Sequence, residues 1–379
     1  MSSSPSKTIL LVGTGAFVTH DSYGPGVIAR SLAQWCARNP ESDPWRLQVA
    51  CRSDAGRTRF ELEWKTIQQE VANAPSIETI RCDGPDLDAA YARAHAAFVC
   101  VPDESHADYL ERALAARVPT WIVKPMTGEG EASRFLAEAA QTAKVPVWVD
   151  YHKRFDVSNR SLRSTIAGGE YGRPLLYSVR YSQPRDLPLD GFAWADETDV
   201  FTYIGCHYVD QLYYLMPDLK VEHVSARGLS GPVHAVLGGQ AWDTVVARID
   251  GRLGDHAMTA QLEVGWSNPL GSPTKSLQVV ECSLERGRIF LDQSRRGTEI
   301  WDDRGVAVPN PYFFTRLHDP IRGEDAYQGY GYDSIAHFLD FTVAGENEQS
   351  MLLENASLPW AHEAARTDAV LDQIRDALA

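Results

Sequence analysis

The chain has 379 residues, of which 44% are hydrophobic and 23% are charged, so it can bury a sizeable core and is expected to form two or three domains. Its formal net charge of −15 argues against nucleic acid and anionic membranes as partners, because an acidic surface repels both. The six cysteines form no close-spaced ligand set, which argues against a metal site or a disulfide framework and favours a reducing cytoplasm.

The first 150 residues alternate short apolar runs with helical patterns. The run before Gly13 is much shorter than the roughly 20 residues that span a bilayer, and it indicates a buried strand rather than a signal peptide. Helices are predicted at Val27–Ala37 and Ser105–Ala116, with Ser105 accepting a capping hydrogen bond. The predicted strands are Thr8–Val12, Leu47–Cys51, Ile77–Arg81, Ala97–Val101, Thr120–Val123 and Val145–Asp150. Such strand–helix units imply a parallel sheet with ligands at the carboxyl ends of its strands.

After Asp150, longer stretches alternate polar with apolar residues. A period of two predicts an antiparallel sheet with one buried face, and a helix at Tyr203–Leu215 is expected to cover that face. The predicted strands are Leu175–Tyr181, Val221–Gly228, Thr244–Ile249, Ala257–Val264, Leu277–Leu284 and Arg288–Asp292. Helices at Tyr332–Val343 and Asn355–Leu378 are expected to close the chain. Two domains that join near Tyr151 account for the change of pattern.

The first predicted strand leads into Gly13-Thr14-Gly15-Ala16-Phe17. Two glycines at this spacing let the backbone turn tightly and approach a pyrophosphate, at which the next helix would direct its N–H groups. The third glycine of the dinucleotide fingerprint is replaced by Val18, and the later Gly24 and Gly26 indicate an insertion over roughly residues 17–25. The pattern therefore predicts a dinucleotide site, with an ordinary glycine turn as the alternative.

The second predicted strand ends in Cys51-Arg52-Ser53. Enzymes that bind NAD usually place an acidic residue here, for the ribose 2′-hydroxyl. Arg52 can instead form a forked ion pair with a 2′-phosphate, to which Ser53 can donate a hydrogen bond. This favours NADP over NAD, although Arg52 could be a solvated loop residue and Asp54 follows closely.

Motifs in four places share a characteristic order. They are the Gly13–Phe17 turn, Val101-Pro102 followed by His106, Trp121-Ile122-Val123-Lys124-Pro125, and Gly205-Cys206-His207 with Asp210 one turn later. Together they resemble the Gfo/Idh/MocA family, which includes glucose–fructose oxidoreductase and inositol dehydrogenase. The segments 150–156 and 361–365 also resemble that family, so the likeness covers nearly the whole chain.

The resemblance implies two domains: an NAD(P)-binding Rossmann domain over residues 1–151, and an α+β domain over residues 152–379 for substrate binding and oligomerisation. The second domain would hold a large, mostly antiparallel open sheet that forms a homodimer or homotetramer interface. Members typically oxidise or reduce one carbon of a sugar, inositol or related polyol. Two family carboxylates are missing, because Val123 replaces the glutamate of Glu-Lys-Pro and Tyr203 replaces the aspartate of Asp-x-Gly-x-His.

Hydride transfer to or from a carbinol carbon leaves a hydroxyl proton to be handled. By the resemblance, Lys124 is the principal acid/base and His207 assists it, with a surface lysine and a core histidine as the alternatives. Asp210 is three residues after His207 on one helix face and could orient its ring. Tyr203, one turn before His207, could stand in for the missing carboxylate as a hydrogen-bond partner or could pack against the sheet.

Further candidates are less specific. Lys153 is favoured over Arg154 as a substrate contact, because alternation along a strand would send the two to opposite faces; a solvated ion pair with Asp150 or Asp156 is the alternative. By the resemblance, Val101, Pro102, His106 and Lys124 also contact the cofactor, although His106 could simply cap and pack. The acidic run Asp196-Glu197-Asp199 could meet polyol hydroxyls or start a helix.

The sequence therefore predicts a cytoplasmic oxidoreductase that uses NADP, or else NAD, to interconvert a hydroxyl-bearing carbon and a carbonyl in a sugar, cyclitol or sugar derivative. Two alternatives stay open. One is a regulator that keeps the fold and the cofactor site without turnover. The other is a reductase of an unsaturated substrate that is not a sugar.

Overall fold

The computed structural model describes residues 7–19, 25–40, 44–191, 195–196, 198–303 and 305–378. By their internal contacts the residues divide into two compact units. The first unit consists of residues 1–127, 131–155 and 313–364, and the second of residues 128–130, 156–312 and 365–379. The late segment 313–364 thus packs with the first unit, whereas the division of the sequence at residue 151 stays a prediction.

The first unit contains a parallel sheet in the order β3-β2-β1-β4-β5-β6, the arrangement of a Rossmann fold. Apolar runs form the inner strands β1 and β4, because both faces of the sheet are covered there. The strands are β1 (Thr8–Val12), β2 (Arg46–Cys51), β3 (Ser76–Arg81), β4 (Ala96–Val99), β5 (Thr120–Ile122) and β6 (Val147–Val149). The helices between them are α1 (Val27–Arg38), α2 (Asp54–Glu70), α3 (Pro85–Arg93), α4 (His106–Ala116) and α5 (Gly130–Ala143). The predicted Rossmann fold is confirmed.

Two strands of this sheet are shorter than the sequence predicts. Strand β4 ends at Val99 rather than at Val101, and β6 is confined to Val147–Val149. The capping role expected of Ser105 is wrong. This residue closes a 3₁₀ turn in an α-helical conformation, and its side chain makes no capping hydrogen bond with the described residues.

The second unit begins with α6 (Val157–Gly168) and is built on a sheet in the order β12-β11-β7-β10-β9-β8. Its strands are β7 (Pro174–Pro184), β8 (Lys220–Leu229), β9 (Thr244–Leu253), β10 (His256–Asn268), β11 (Leu277–Leu284) and β12 (Gly287–Asp292). Burial alternates along β11, as a sheet with one covered face requires. Neighbouring strands of this described sheet run antiparallel except β7 and β10, which pair in parallel. The mostly antiparallel α+β unit is confirmed.

Helix α7 (Cys206–Leu215) is buried along its whole length and lies against this sheet, where the Tyr177 hydroxyl donates to Gln211 Oε1 at 2.9 Å. It starts three residues later than predicted, because residues Phe201–Gly205 form a wider, π-helical turn. The Asp199 carboxylate caps that turn and accepts hydrogen bonds from the backbone N–H groups of Phe201 and Thr202. A short helix α8 (Pro232–Leu237) precedes β9.

The remaining elements follow a short exposed hairpin of β13 (Ile300–Asp302) and β14 (Gly305–Ala307). Strands β15 (Thr315–Asp319) and β16 (Glu324–Gln328) form a second hairpin, and α9 (Tyr330–Val343), α10 (Glu346–Leu353) and α11 (Ala361–Leu378) follow. The helix predicted at Asn355–Leu378 began six residues too early. Residues 355–360 instead run beside β6, where Val149 N–H donates to the Pro359 carbonyl. No helix of the described residues is long and apolar enough to cross a bilayer.

Candidate active site

The glycine turn follows β1 at the carboxyl edge of the parallel sheet. Gly13 adopts φ of 96°, and a Cβ there would lie 2.1 Å from the carbonyl oxygen of Cys100, so only glycine lets the turn pass this close to the end of β4. On the other side, a Cβ built on Gly15 would meet no described heavy atom within 4 Å. The turn through Ala16 and Phe17 is thus tight on the sheet side and open on the opposite side.

Two backbone bonds join this turn to the first helix. The N–H groups of Val27 and Ile28 both donate to the Phe17 carbonyl, at 2.9 and 3.2 Å. Val18, at the position of the third fingerprint glycine, is buried in the core rather than in contact with the turn's open side. The expected insertion over residues 17–25 lies partly outside the described residues, since residues 20–24, including Gly24, are among those not described.

The end of β2 carries the two residues predicted to select the cofactor. Ser53 caps α2, with its Oγ accepting a hydrogen bond from Gly56 N–H at 3.1 Å. Arg52 is exposed, and the neighbouring Asp54 pairs with Arg57 at 2.8 Å. Ser53 therefore has a structural role, and its hydroxyl proton can still be donated to another group.

His106 is fully buried behind the loops that follow β4 and β5. Its Nδ1 lies 2.9 Å from the Pro125 carbonyl oxygen and 3.1 Å from that of Met126, and its Nε2 lies 3.0 Å from the Val101 carbonyl oxygen. The ring thus ties the loop of Val101 and Pro102 to the loop that carries Lys124. Because backbone groups engage both nitrogens, the geometry favours the packing alternative over direct contact with a cofactor.

Lys124 is two residues beyond the end of β5 and is partly exposed at the same carboxyl edge. The peptide bond to Pro125 is cis. Val123, at the position of the missing family glutamate, donates its N–H to the Val99 carbonyl at 3.1 Å and packs against the apolar core. An apolar side chain replaces the family carboxylate beside Lys124.

A pair of residues after β6 was not singled out from the sequence. Asp150 is buried, and its Oδ2 lies 2.9 Å from Nδ1 of His152, while its Oδ1 accepts a hydrogen bond from the Ser334 hydroxyl at 2.7 Å. The ring of His152 lies 6.3 Å from that of Phe17 in the glycine turn. A histidine two residues after a strand-end aspartate was the available sequence signal, but it lay within a segment read as a domain junction.

Lys153 and Arg154 are both buried in a 3₁₀ turn over His152–Phe155. The strand alternation that favoured Lys153 therefore does not apply, which corrects the basis of that choice. Arg154 donates to the carbonyl oxygens of Ala356 and Leu358, at 3.2 and 3.1 Å, and so has a structural role.

The second unit carries the other predicted residues on and before α7. His207 and Asp210 are both buried, three residues apart on one face of that helix. Tyr203 lies in the π-helical turn rather than in the helix, with its ring 6.1 Å from that of Trp266. Burial is the main cause that raises the pKa of Tyr177 well above its ordinary value, and the nearby Asp210 carboxylate adds to it.

The acidic run before α7 does not behave as expected for a contact with polyol hydroxyls. Asp199 is buried, and both of its oxygens accept hydrogen bonds from the turn that it caps. Glu197 lies outside the described residues.

Two family models match successive parts of the chain. Residues 7–151 match the model of an oxidoreductase family with an NAD-binding Rossmann fold, and residues 159–289 match the GFO/IDH/MocA C-terminal domain. The uncharacterized oxidoreductase YrbE of Bacillus subtilis is 26% identical over 347 residues, which cover 88% of this chain and 89% of that protein. The myo-inositol dehydrogenase Hyg17 of Streptomyces leeuwenhoekii is 29% identical over 195 residues, 51% of this chain and 57% of that relative. The matched region thus spans little more than half of Hyg17.

Solved structures show the same fold over nearly the whole chain. The scyllo-inositol dehydrogenase of Lactobacillus casei, with bound NAD(H) and scyllo-inositol, superposes with a TM-score of 0.68 at 16% identity and covers 98% of this chain and 97% of its own. GenD2 of gentamicin A biosynthesis, in complex with NAD, has a TM-score of 0.72 at 16% identity. The match covers 99% of this chain and 94% of the GenD2 chain. At such identities the likeness shows the fold alone. With both family models matched in order along the sequence, the chain belongs to the GFO/IDH/MocA oxidoreductase family.

Proposed function

We propose that the protein is an NAD(P)-dependent dehydrogenase that interconverts a hydroxyl-bearing carbon of a cyclitol, sugar or sugar derivative with the corresponding carbonyl. The observation that carries the proposal is the position of Lys124, which follows β5 at the edge of the sheet that also carries the glycine turn. Ligands of parallel sheets bind at this edge. Inositol dehydrogenases among the named relatives make a cyclitol the first substrate to test.

The residues after β1 and β2 fit a dinucleotide. The open side of Gly15, which a Cβ would fill, leaves room for a pyrophosphate against the backbone, and Arg52 is exposed at the end of β2. When bound, the nicotinamide supplies the hydride chemistry. Arg52 supports NADP, since its guanidinium can pair with a 2′-phosphate. Two of the related structures are described with NAD, so both cofactors belong in the test.

The protein's own task is to orient the substrate and to manage one proton. In oxidation, the amine of Lys124 accepts the hydroxyl proton as the carbon gives up its hydride, and in reduction the ammonium returns it. His207 assists by binding the reacting hydroxyl, with Asp210 orienting the imidazole. Lys153 and Tyr203 are further candidates for contact with substrate hydroxyls.

The test is a panel of inositols, aldoses and other polyols with NADP and with NAD, read as absorbance at 340 nm. We expect turnover with at least one cyclitol or sugar, and we expect Lys124→Met to lower kcat by about 10²-fold or more, since the proton transfer is lost. Lys65→Met, at an exposed position of α2, is the matched control and should retain full activity. Turnover of Lys124→Met within a few-fold of the unaltered protein, with cofactor still bound, would contradict the assigned role.

One observation favours the regulatory alternative. Both family carboxylates are absent, with Val123 packed against the core and Tyr203 beside Trp266. A regulator of this kind predicts cofactor binding without any substrate-dependent change at 340 nm across the panel. The same panel therefore separates the two functions.

The proposal also includes the oligomeric state and the cellular compartment of the protein. The outward face of the second unit's sheet supports a homodimer or homotetramer, because it exposes Phe290 among polar side chains. The six cysteines all lie among the described residues, and all are free thiols there, which supports a reducing cytoplasm.

A further inference from the structure

Asp150 and His152 form a carboxylate–imidazole pair at the sheet edge where Lys124 lies. Strands β5 and β6 pair in parallel with Ile122 beside Val149, and the Asp150 N–H donates to the Ile122 carbonyl at 2.8 Å. Lys124 and His152 therefore follow adjacent strand ends, by two and three residues. All of these residues belong to the first unit.

The hydrogen bonds fix which nitrogen of His152 carries the proton. The Asp150 carboxylate can only accept hydrogen bonds. Its Oδ1 accepts one from the Ser334 hydroxyl at 2.7 Å, and its Oδ2 lies 2.9 Å from Nδ1 of His152. Nδ1 therefore carries the hydrogen, and the basic lone pair is on Nε2.

The surroundings of the ring orient it further. Tyr330 of α9 stacks on it at 5.6 Å between ring centroids, and the rings of Phe313 and Phe17 lie at 5.3 and 6.3 Å. The side chain of His152 is 12% exposed, so the imidazole is held in place but still reached from outside.

Several groups near the pair can carry a charge, among them the buried Lys153 that follows His152. After the end of β6 there is Asp150 itself, and α9 contributes the phenol of Tyr330. Behind the carboxylate, the Cys100 thiol has a pKa raised well above its ordinary value, mainly by burial and also by the Asp150 charge, so it stays neutral. On the pair's own turn, the guanidinium of Arg154 donates to backbone carbonyls.

We propose that Asp150 and His152 form a proton relay that acts through Lys124 and replaces the carboxylates missing at Val123 and Tyr203. The proposal rests on the proposed function. In oxidation the C–H electron pair leaves as hydride to the nicotinamide, the alcohol O–H proton passes to the neutral Lys124 amine, and the resulting ammonium gives a proton to Nε2 of His152. The alcohol becomes a carbonyl, NAD(P)⁺ becomes NAD(P)H, and the relay returns its proton to water.

The test compares variants of the full-length protein with an inositol that the unaltered protein oxidises. We expect His152→Ala to lower kcat by about 10²-fold with unchanged KM and unchanged cofactor affinity, measured by tryptophan fluorescence. Added imidazole should restore turnover, and substituted imidazoles should restore it in order of their basicity. A pH profile of kcat should lose its imidazole-dependent acidic limb in the variant. His152→Asn, whose amide N–H can take the place of Nδ1–H and still donate to Asp150, should show the same loss of kcat.

The matched control is His318→Ala. His318 also faces an aspartate, Asp325 at 3.3 Å, but on the exposed β15–β16 hairpin, and its loss should leave kcat and the pH profile unchanged. A His152→Ala variant with full kcat would overturn the relay. The relay would also be overturned if no imidazole restored the lost activity and the loss came from weaker cofactor binding. Turnover by the unaltered protein tests the proposed function. The ratio of the kcat of His152→Ala to the kcat of the unaltered protein tests the relay.

Discussion

Backbone carbonyl groups hold the residues around Lys124 in place. His106 joins the Val101 carbonyl to those of Pro125 and Met126, so the loop that carries Lys124 is fixed from behind. A catalytic side chain on a fixed backbone loses less freedom when it meets its substrate. His106 therefore acts as a positioning residue for the proposed acid/base.

Cofactor choice is predicted to depend on Arg52. A charged hydrogen-bonded pair with a 2′-phosphate contributes about 1.5–3 kcal/mol, so Arg52→Ala should raise the KM for NADP by roughly 10- to 100-fold and leave the KM for NAD unchanged. Steady-state kinetics with both cofactors measure this. Arg134→Ala, in an exposed pair with Glu138 on α5, is the control and should change neither constant. Equal effects on NADP and NAD would show that Arg52 does not read the 2′ position.

Residues that follow strands were accessible to sequence reasoning. Lys124 and Arg52 each come directly after an apolar run, so their place at the carboxyl edge could be predicted from the strand alone. His152 could not be assigned in this way. Its position depends on a 3₁₀ turn and on Ser334 and Tyr330, which come almost two hundred residues later.

At the scale of elements, buried charges tie α1, α2 and β16 together in the first unit. Arg30 of α1 is 3% exposed and contacts Glu63 and Glu70 of α2 at 2.6 and 2.9 Å. The Tyr327 hydroxyl of β16 donates to Glu70 at 2.8 Å and accepts from Arg30 at 3.0 Å. Every charge in this network is paired, as burial requires.

Removal of the central cation should therefore be costly. We expect Arg30→Leu to lower the free energy of unfolding by about 3 kcal/mol, because it leaves two partly buried carboxylates without their cation. Urea denaturation followed by tryptophan fluorescence measures the change. Arg134→Leu, which breaks an exposed i,i+4 pair on α5, should cost less than about 0.5 kcal/mol. Similar losses in the two variants would rule out the proposed importance of burial.

The types of the elements could be predicted from hydrophobic periodicity, whereas the pairing of two strands and the start of one helix could not. The alternation in β7 and β10 identified both strands, but two strands that are far apart in sequence pair in parallel, which no local pattern indicates. The start of α7 depends on the preceding turn, which Asp199 caps. The acidic run that contains Asp199 was expected either to meet polyol hydroxyls or to start a helix, but it does not indicate that a π-helical turn comes first.

For the whole molecule, buried thiols and phenols predict a loss of stability in base. Burial raises the pKa of Cys51 and of Cys282 to about 11 and that of Tyr327 to about 12. An unfolded cysteine ionises near about 8.5. Above that pH the unfolded chain loses protons that the folded chain keeps, so the free energy of unfolding falls as pH rises, by about 1–2 kcal/mol for each such cysteine at about pH 10.

Urea denaturation between pH 8 and pH 10 measures this fall. In the Cys282→Ala variant, the free energy of unfolding should fall less between these pH values, by about the contribution of one cysteine. The variant should also be less stable at every pH, because the substitution leaves a small cavity in the covered face of the sheet. A pH dependence identical to that of the unaltered protein would exclude ionisation of Cys282 as a cause.

Assembly is predicted to use the open sheet of the second unit. Phe290 on β12 is 63% exposed, and Phe290→Asp should shift the protein from dimer or tetramer to monomer, because a charge would then be buried in the interface. Light scattering after size-exclusion chromatography measures the mass. Phe135 on α5 is also 63% exposed, so Phe135→Asp controls for the change of residue and should leave the mass unchanged. A monomeric unaltered protein at micromolar concentration would contradict the prediction.

The packing of residues 313–364 on the first unit has a consequence for how the protein is made. The indole of Trp148 is covered by Trp360 and Phe338, at ring distances of 5.0 and 6.1 Å. A ribosome that adds about 5–20 residues per second needs roughly 10 to 40 seconds to travel from the first of these residues to the last. During that interval the nascent N-terminal half presents bare aromatic surface, and a chaperone that shields it would raise the yield of folded protein.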